Sequence, residues 1–165
     1  EQALADKSID VGIVLGAQLR PGLAGISIIE SPMMVLSHEH SAWRGRATIA
    51  LSELQHEPFL LYADTFTLNN LIVQAAHHAG FEPKVVCKSS QWEFMVKLVE
   101  ANMGIALLPQ VFAEQVGHFH IHQAKLVEPC INWHLSMAWN ATVALSPAAQ
   151  AWIDIIKAHR QHIHI

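Results

Sequence analysis

Residues 88–109 read KSSQWEFMVKLVEANMGIALLP and contain, in direct succession, a helix start, an amphipathic helix, a helix stop and an apolar strand. Ser90, followed three residues later by Glu93, has the pattern of a capping box, which predicts that a helix begins there. Apolar residues then recur with helical spacing until Asn102 and Gly104, two residue types that suit a helix C-terminus. The apolar run IALLP is typical of a short buried strand. This stretch therefore predicts a helix that reverses into a covered sheet.

Strand and helix patterns also alternate before this stretch. The segment PFLLY, residues 58–62, predicts a strand, and the apolar spacing after it predicts a helix from about Phe66 to Ala79 that ends at Gly80. KVVC, which begins at Lys84, predicts the next strand. Because strand and helix follow each other twice in succession, we expect these strands to pair in parallel. The pattern indicates an α/β fold.

The flanking regions predict further elements on both sides. In chain order they are a short helix at 2–5, a buried strand at 10–16, strand segments within 26–36, a surface loop at 37–54 that ends in a short helix near 51–54, a short helix at 110–116, a strand at 131–139 and a helix at 146–159 that serine caps. Pro32 interrupts the apolar run ISIIESPMMVL, so we expect two strand segments that meet at a break.

Composition limits the functional class. The chain has 165 residues, of which 52% are hydrophobic and 15% charged, as in a globular domain or two small lobes. No apolar run approaches the roughly 20 residues that cross a bilayer, and we expect no membrane partner. The net charge is -4 and the cations are scattered, which argues against nucleic-acid binding by this chain alone.

Cys87 and Cys130 show no CxxC spacing, so we interpret them as two reduced, buried thiols. Reduced thiols favour a cytoplasmic location. The first residues lack the basic start and apolar run of a signal peptide, and the missing initiator Met suggests that an upstream part has been removed.

The order of these motifs resembles the effector-binding domain of LysR-type transcriptional regulators. The fragments that carry the resemblance are SIDVGIVLG at 8–16, EPFLLY at 57–62 with HHAGFEP at 77–83, SSQWEFMVKLVEANMGIALLP at 89–109, and WHLSMAW at 133–139 with LSPAAQAWIDII at 145–156. Each fragment is weak alone, but their order and spacing are fairly specific. Asn102 stands where the family has glycine, a departure at a helix end.

The resemblance implies a two-lobed, periplasmic-binding-protein-like (type 2) α/β fold with the ligand in the cleft between the lobes. We expect residues 1–34 and 131–165 to form lobe I and residues 35–130 to form lobe II. Compared with the family, the chain lacks the DNA-binding helix-turn-helix and the opening part of lobe I, so lobe I is expected to be incomplete. Expected partners are a small-molecule effector and further copies in a homodimer or homotetramer, with DNA bound only through the N-terminal domain.

Candidate effector-binding residues follow two strands. Ligands of open α/β sheets sit beyond the carboxyl ends of parallel strands, near helix N-termini. The candidates are Ala63, Asp64, Thr65, Phe66 and Thr67 after one strand, Ser89, Ser90 and Gln91 after the next, and Leu15 and Gly16 at the end of the first strand. Their hydroxyl and N–H groups suit a small anion such as a carboxylate. Asp64 could repel an anion, bind an amine, or cap the helix that follows Phe66.

Histidines raise a metal-binding alternative. In an extended strand His118, His120 and His122 would share one face, and three imidazoles could approach Zn²⁺ or Ni²⁺. No nearby cysteine or acidic residue completes the set, so we interpret them as exposed histidines on an edge strand and predict neither a metal site nor a cofactor.

Enzymatic motifs are absent from the sequence: it has no GxSxG elbow, no HExxH and no phosphate-binding glycine loop, so we do not expect an enzyme. Three functions remain open. The chain could be a cytoplasmic effector-sensing domain, an extracytoplasmic solute-binding protein of similar fold, or a redox or metal sensor that uses Cys87 or the histidines.

Overall fold

The computed structural model describes residues 1–16 and 18–159. Helices and strands alternate along most of the chain. The helices are α1 Gln2–Ala5, α2 Thr67–His78, α3 Trp92–Glu100, α4 Gln110–Ala113 and α5 Pro147–His159, with 3-10 turns at Leu51–Leu54 and Glu114–Val116. The strands are β1 Val11–Leu15, β2 Leu23–His38, β3 Thr48–Ala50, β4 Pro58–Tyr62, β5 Lys84–Ser89, β6 Ile105–Pro109, β7 Ile121–Val127 and β8 Asn132–Asn140.

The chain divides into two compact units. The first unit comprises 1–30 and 133–165, and the second comprises 31–132. The chain thus passes between the units twice, after Glu30 and after Asn132. The lobes predicted from the sequence, 1–34 with 131–165 and 35–130, use slightly different boundaries and stay a prediction.

The first unit contains an antiparallel pair of strands and the last helix. Strand β1 pairs with β8, with Val11 opposite Trp139 and Leu15 opposite Leu135. The predicted serine cap of α5 is confirmed, because the Ser146 hydroxyl accepts a hydrogen bond from the Ala149 N–H (3.2 Å). This unit buries apolar side chains of α1, β8 and α5, namely Leu4, Met137, Ala138, Ala149 and Ile153.

The second unit contains the predicted parallel strands. Strand β4 pairs in parallel with β5, from Pro58 opposite Lys84 to Tyr62 opposite Ser89, and in parallel with β6 on its other side. Strand β6 also pairs antiparallel with the second half of β2, which in turn pairs antiparallel with β7. The sequence prediction of parallel pairing is therefore confirmed, and β6 lies inside the sheet.

Apolar packing in the second unit follows the predicted periodicities. All five residues of β6 are buried, as expected of a strand with neighbours on both sides. One face of each long helix is buried as well; the residues are Leu68, Ile72, Ala75 and Ala76 on α2 and Met95, Val96 and Val99 on α3. The largest fully buried side chain is Phe59, at the start of β4.

The predicted capping box at Ser90 is wrong. Helix α3 begins at Trp92, its N-cap residue is Gln91, and no side chain caps it. Instead the Ser89 hydroxyl accepts a hydrogen bond from the Gln91 N–H (3.0 Å) in the turn that precedes the helix. The serine that orders this turn is therefore Ser89, the last residue of β5, and not Ser90.

The end of α3 is a Schellman motif. Asn102 has a positive φ of 56°, its N–H donates to the Val99 carbonyl (2.9 Å), and the Met103 N–H donates to the Leu98 carbonyl (3.0 Å). Asparagine tolerates this left-handed conformation better than most residues. Asn102 thus takes the position at the helix end that the sequence predicts, and Gly104 lies beyond the helix.

Pro32 does not break its strand. Strand β2 runs without interruption from Leu23 to His38. Its ladders with β6 and β7 begin only at Met33 and Met34, so these ladders need no donor from the proline nitrogen. The structure also contains the short strand β3 inside the predicted loop. This strand forms through its parallel pairing with β7, a tertiary contact that the local sequence does not indicate.

Both cysteines are free, but the expectation that they are buried is wrong. Cys130 is exposed and Cys87 is half-buried. Cys87 lies on β5, an edge strand of the sheet, so one side of that strand has no neighbour to cover it. In the described part of the chain, no helix is long and apolar enough to span a bilayer.

Candidate functional site

The ends of β4 and β5 bring two of the predicted loops together. Tyr62 lies opposite Ser89 in the parallel register, and one residue later the Ala63 N–H donates to the Ser89 carbonyl (3.0 Å). Residues 63–67 and 89–91 are therefore neighbours at one edge of the sheet. This arrangement follows from parallel pairing, which places the carboxyl ends of both strands at the same edge.

Two helices begin at this edge. Phe66 is the N-cap residue of α2 and Gln91 is that of α3; both have extended backbones, and no side chain caps either helix. The first N–H groups of a helix have no acceptor within the helix, and they carry the positive end of its dipole. The edge therefore presents amide donors from two helix starts, which is an arrangement that favours an anion.

Asp64 does not cap α2. Its Oδ1 accepts hydrogen bonds from the Lys88 Nζ (2.6 Å) and from the Asn69 Nδ2 (3.3 Å). The side chains of Asp64 and Lys88 are 72% and 42% exposed, so the ion pair remains open to solvent. The capping alternative for Asp64 is wrong, because no side chain caps α2 and the Asp64 carboxylate bonds to the side chains of Lys88 and Asn69 instead.

A groove lies beside this ion pair. Its volume is about 370 Å³, and its lining combines charged, amide and apolar side chains from β4, β5, α2 and the loop before β5. The lining residues are Leu61, Asp64, Asn69, Asn70, Val73, Gln74, His77, Glu82, Pro83, Val85 and Lys88. This volume is of the size that holds a small metabolite.

Tyr62, the last residue of β4, packs against the loop that leads into α2. The ring is 6% exposed and stacks on Phe66, with 6.0 Å between the ring centroids. Burial raises the pKa of the Tyr62 phenol well above its ordinary value, so it stays neutral even at a pH at which an exposed tyrosine ionises. Its role is to hold Phe66 in the turn before α2.

Leu15 and Gly16 lie in the first unit. Leu15 ends β1, and Gly16 has a positive φ of 130° that suits glycine. The Gly16 N–H donates to the His134 carbonyl (2.8 Å), and the Gly16 carbonyl accepts from the Ser136 hydroxyl (3.2 Å). Both residues therefore stand at a strand end, and their contact with a ligand stays a prediction.

The histidines do not share a strand face. Strand β7 begins at Ile121, so His118 and His120 precede it and only His122 lies on it. His120 faces Glu39, with 3.4 Å between Nδ1 and Oε2, and the His122 Nε2 lies 2.9 Å from the Arg46 carbonyl oxygen. Among residues 1–16 and 18–159, no three His, Cys, Asp or Glu side chains are placed to hold a metal ion.

Sequence reasoning did not find Lys88 and Asn69. Both contact Asp64, yet they lie 24 and 5 residues further along the chain. Lys88 does carry a signal, since it is a cation one residue before the predicted site residue Ser89, at the end of a strand. Asn69 lies in the first turn of α2, where nothing in the sequence separates it from an ordinary helix residue.

Comparison with known proteins defines the family. Residues 1–161 match the family model described as LysR substrate binding domain. The chain is 31% identical over 159 residues to the uncharacterised HTH-type transcriptional regulator YwbI of Bacillus subtilis. The aligned region is 96% of this chain and 53% of YwbI. It is also 32% identical over 75 residues to the transcriptional dual regulator GltC of Bacillus subtilis, and this aligned region is 45% of this chain and 25% of GltC. The chain thus spans about half the length of YwbI.

Solved structures show the same fold. The effector binding domain of QuiR in complex with shikimate superposes with a TM-score of 0.80 at 20% identity, covering 98% of this chain and 77% of that one. The CcmR regulatory domain of Synechocystis PCC6803 in complex with 2-PG gives a TM-score of 0.80 at 18% identity, covering 98% and 78%. The fold is therefore the two-lobed, periplasmic-binding-protein-like type, as the sequence predicts. The resemblance is confirmed: the chain belongs to the LysR substrate binding domain family.

Proposed function

We propose that the chain is the effector-sensing domain of a LysR-type bacterial transcriptional regulator and that it binds a small, acidic metabolite. The observation that carries this proposal is the contact between the Ala63 N–H and the Ser89 carbonyl, which joins two loops and two uncapped helix starts at one sheet edge. Solved relatives of the same fold hold shikimate, 2-PG or benzoate. The proposed contacts are Ala63, Asp64, Thr65, Phe66, Thr67, Ser89, Ser90 and Gln91, with Leu15 and Gly16 from the first unit.

The family favours this function over an extracytoplasmic solute-binding protein. The curated relatives that match are transcriptional regulators, which are not enzymes, and this favours a regulator over an extracytoplasmic solute-binding protein. For the alternative of a redox or metal sensor, no three metal-binding side chains come together in the described residues, and Cys87 and Cys130 are not paired with each other. We further propose a cytoplasmic location and contact with DNA only through an N-terminal domain outside this chain.

Replacing Ser89 by alanine is expected to weaken the binding of a small acid about tenfold. The Ser89 hydroxyl accepts the Gln91 N–H, and its loss frees the turn that orders the start of α3. The measurement is a thermal-shift screen of shikimate, benzoate and other small carboxylates, followed by calorimetric titration of the best ligand with the wild-type and variant chains.

Ser52→Ala is the matched control for this substitution. Ser52 is exposed in the 3-10 turn Leu51–Leu54, away from both loops, and its loss should leave the affinity unchanged. A panel in which no acid stabilises the chain would contradict an acid-sensing function. Equal affinities for Ser89→Ala and the wild type would remove the 89–91 turn from the site.

We also propose that the chain pairs with a second copy through the open edge of β5. Within the sheet β5 is a terminal strand that pairs with β4, and Val86 on it, which does not line the groove, is 47% exposed. An edge strand with an exposed valine offers free backbone groups and apolar surface to another chain. Val86→Lys should therefore raise the dimer dissociation constant at least tenfold in sedimentation velocity.

Met103→Lys provides the control for this prediction. Met103 is 53% exposed but lies in the turn after α3, away from β5. We expect this variant to associate like the wild type. A wild-type chain that stays monomeric at every concentration, or a Val86→Lys variant that associates normally, would rule out this edge as the interface.

A further inference from the structure

The ion pair at the sheet edge carries both kinds of hydrogen-bonding group. Asp64 uses Oδ1 for the Lys88 Nζ and the Asn69 Nδ2, and no hydrogen bond to its Oδ2 is made within the described residues. Lys88 donates one of its three N–H groups to Asp64. Because the two side chains are 72% and 42% exposed, a ligand has access to a free acceptor and to free donors side by side.

The opposite charges of Asp64 and Lys88 decide which ligands this edge of the sheet can bind. A single exposed carboxylate beside two helix starts would repel an acid and offset their dipoles. Lys88 neutralises Asp64 at 2.6 Å, so the acid of a ligand can approach the helix starts and the ammonium group. The Asp64 Oδ2 is then free to accept a hydrogen bond from a second group of the same ligand.

One buried amide oxygen of this polar cluster has no donor. Asn69 is 4% exposed, lines the groove, and donates to Asp64, but its Oδ1 finds no hydrogen-bond partner among the described residues. Buried acceptors are normally satisfied, and each exception has a cost. The Asn69 Oδ1 and the Asp64 Oδ2 are thus two acceptor atoms of this cluster that have no donor among the described residues.

We propose that the effector carries a hydrogen-bond donor beside its carboxylate, as an α-hydroxy or α-amino acid does. Lys88 binds the carboxylate, and Asp64 accepts the hydrogen bond from the donor. This inference rests on the proposed function of the same loops and narrows its ligand class. The groove of about 370 Å³ beside the pair accommodates the remainder of such a molecule. Asp64 is thus the specificity-determining residue, and a plain carboxylate leaves it without a partner.

Propionate, L-lactate and L-alanine test this inference, since they share one carbon skeleton and differ only in a hydrogen, a hydroxyl or an ammonium group beside the acid. Each is titrated into the ¹⁵N-labelled chain, and the amide shifts of residues 63–67 and 88–91 give the dissociation constants. We expect lactate and alanine to bind about tenfold more tightly than propionate. In Asp64→Asn the preference for alanine should shrink to about twofold, and Lys88→Met should weaken all three acids.

Glu53→Gln is the matched control, because Glu53 forms an exposed ion pair with Arg46 (3.0 Å) in the same unit but away from these loops. It should keep the ranking of the wild type. Equal binding of the three acids, or a preference that survives Asp64→Asn, would overturn the inference while leaving the proposed function intact. If none of the acids shifts either loop, the proposed function falls and the inference falls with it.

Discussion

Replacing Phe59 by alanine is expected to lower the free energy of unfolding by about 4 kcal/mol. Phe59 is fully buried at the start of β4, and its ring lies 6.0 Å from that of Phe81, between the centroids. Removing the ring leaves a cavity that the paired strands β5 and β6 cannot fill, since both are fixed by their ladders to β4. Urea-induced unfolding followed by circular dichroism gives the loss directly.

Phe94→Ala is the matched control. Phe94 lies on α3 with 46% of its surface exposed, so the same substitution removes about half as much buried area and should cost roughly 1–2 kcal/mol, clearly less than at Phe59. Similar losses for the two variants would mean that Phe59 does not pack as the structure shows.

The second large effect is expected at Gly104, where alanine should destabilise the fold by about 3 kcal/mol. A Cβ atom there would lie 2.5 Å from the Pro58 carbonyl oxygen and 3.2 Å from its carbon. These are backbone atoms at the start of β4, and they cannot turn aside as a side chain can. The parallel ladder between β4 and β6 must therefore separate locally, which the same urea titration would detect.

Gly117→Ala is the matched control for Gly104. A Cβ atom at Gly117 meets nothing within 4 Å, and its φ of -63° suits any residue. Alanine there should leave stability unchanged or raise it slightly, because it reduces the freedom of the unfolded chain. If Gly104→Ala were as stable as Gly117→Ala, the close approach of β4 to Gly104 would be absent in solution.

Gly104 shows how far sequence reasoning reaches. Its place after an amphipathic run indicates a helix stop, yet the helix stop is Asn102, and Gly104 is required by a backbone that lies 46 residues earlier in the chain. Ser90 shows the same limit, because its capping pattern is present in the sequence but α3 begins at Trp92 with Gln91 as its N-cap residue. Local patterns place an element correctly and leave its last residues to tertiary packing.

The sequence by itself determined the α/β class and the order of the main elements. Helical spacing of apolar residues and continuous apolar runs are local properties, and the order of the motifs was specific enough to indicate the family. It also placed residues 63–67 after β4 and residues 89–91 at the end of β5, and these two strand ends meet in the structure. These features survive because each depends on neighbours along the chain.

Only the tertiary structure decided how the polar groups at that edge are paired. Asp64 and Lys88 are 24 residues apart, and they meet because the parallel register sets Leu61 opposite Lys88. The Asp64 carboxylate pairs with Lys88 and does not cap α2, and no side chain caps α3. A side chain with several possible partners bonds to the one that the fold brings within hydrogen-bonding distance. The spacing of two residues along the sequence does not give the distance between their side chains in the folded protein.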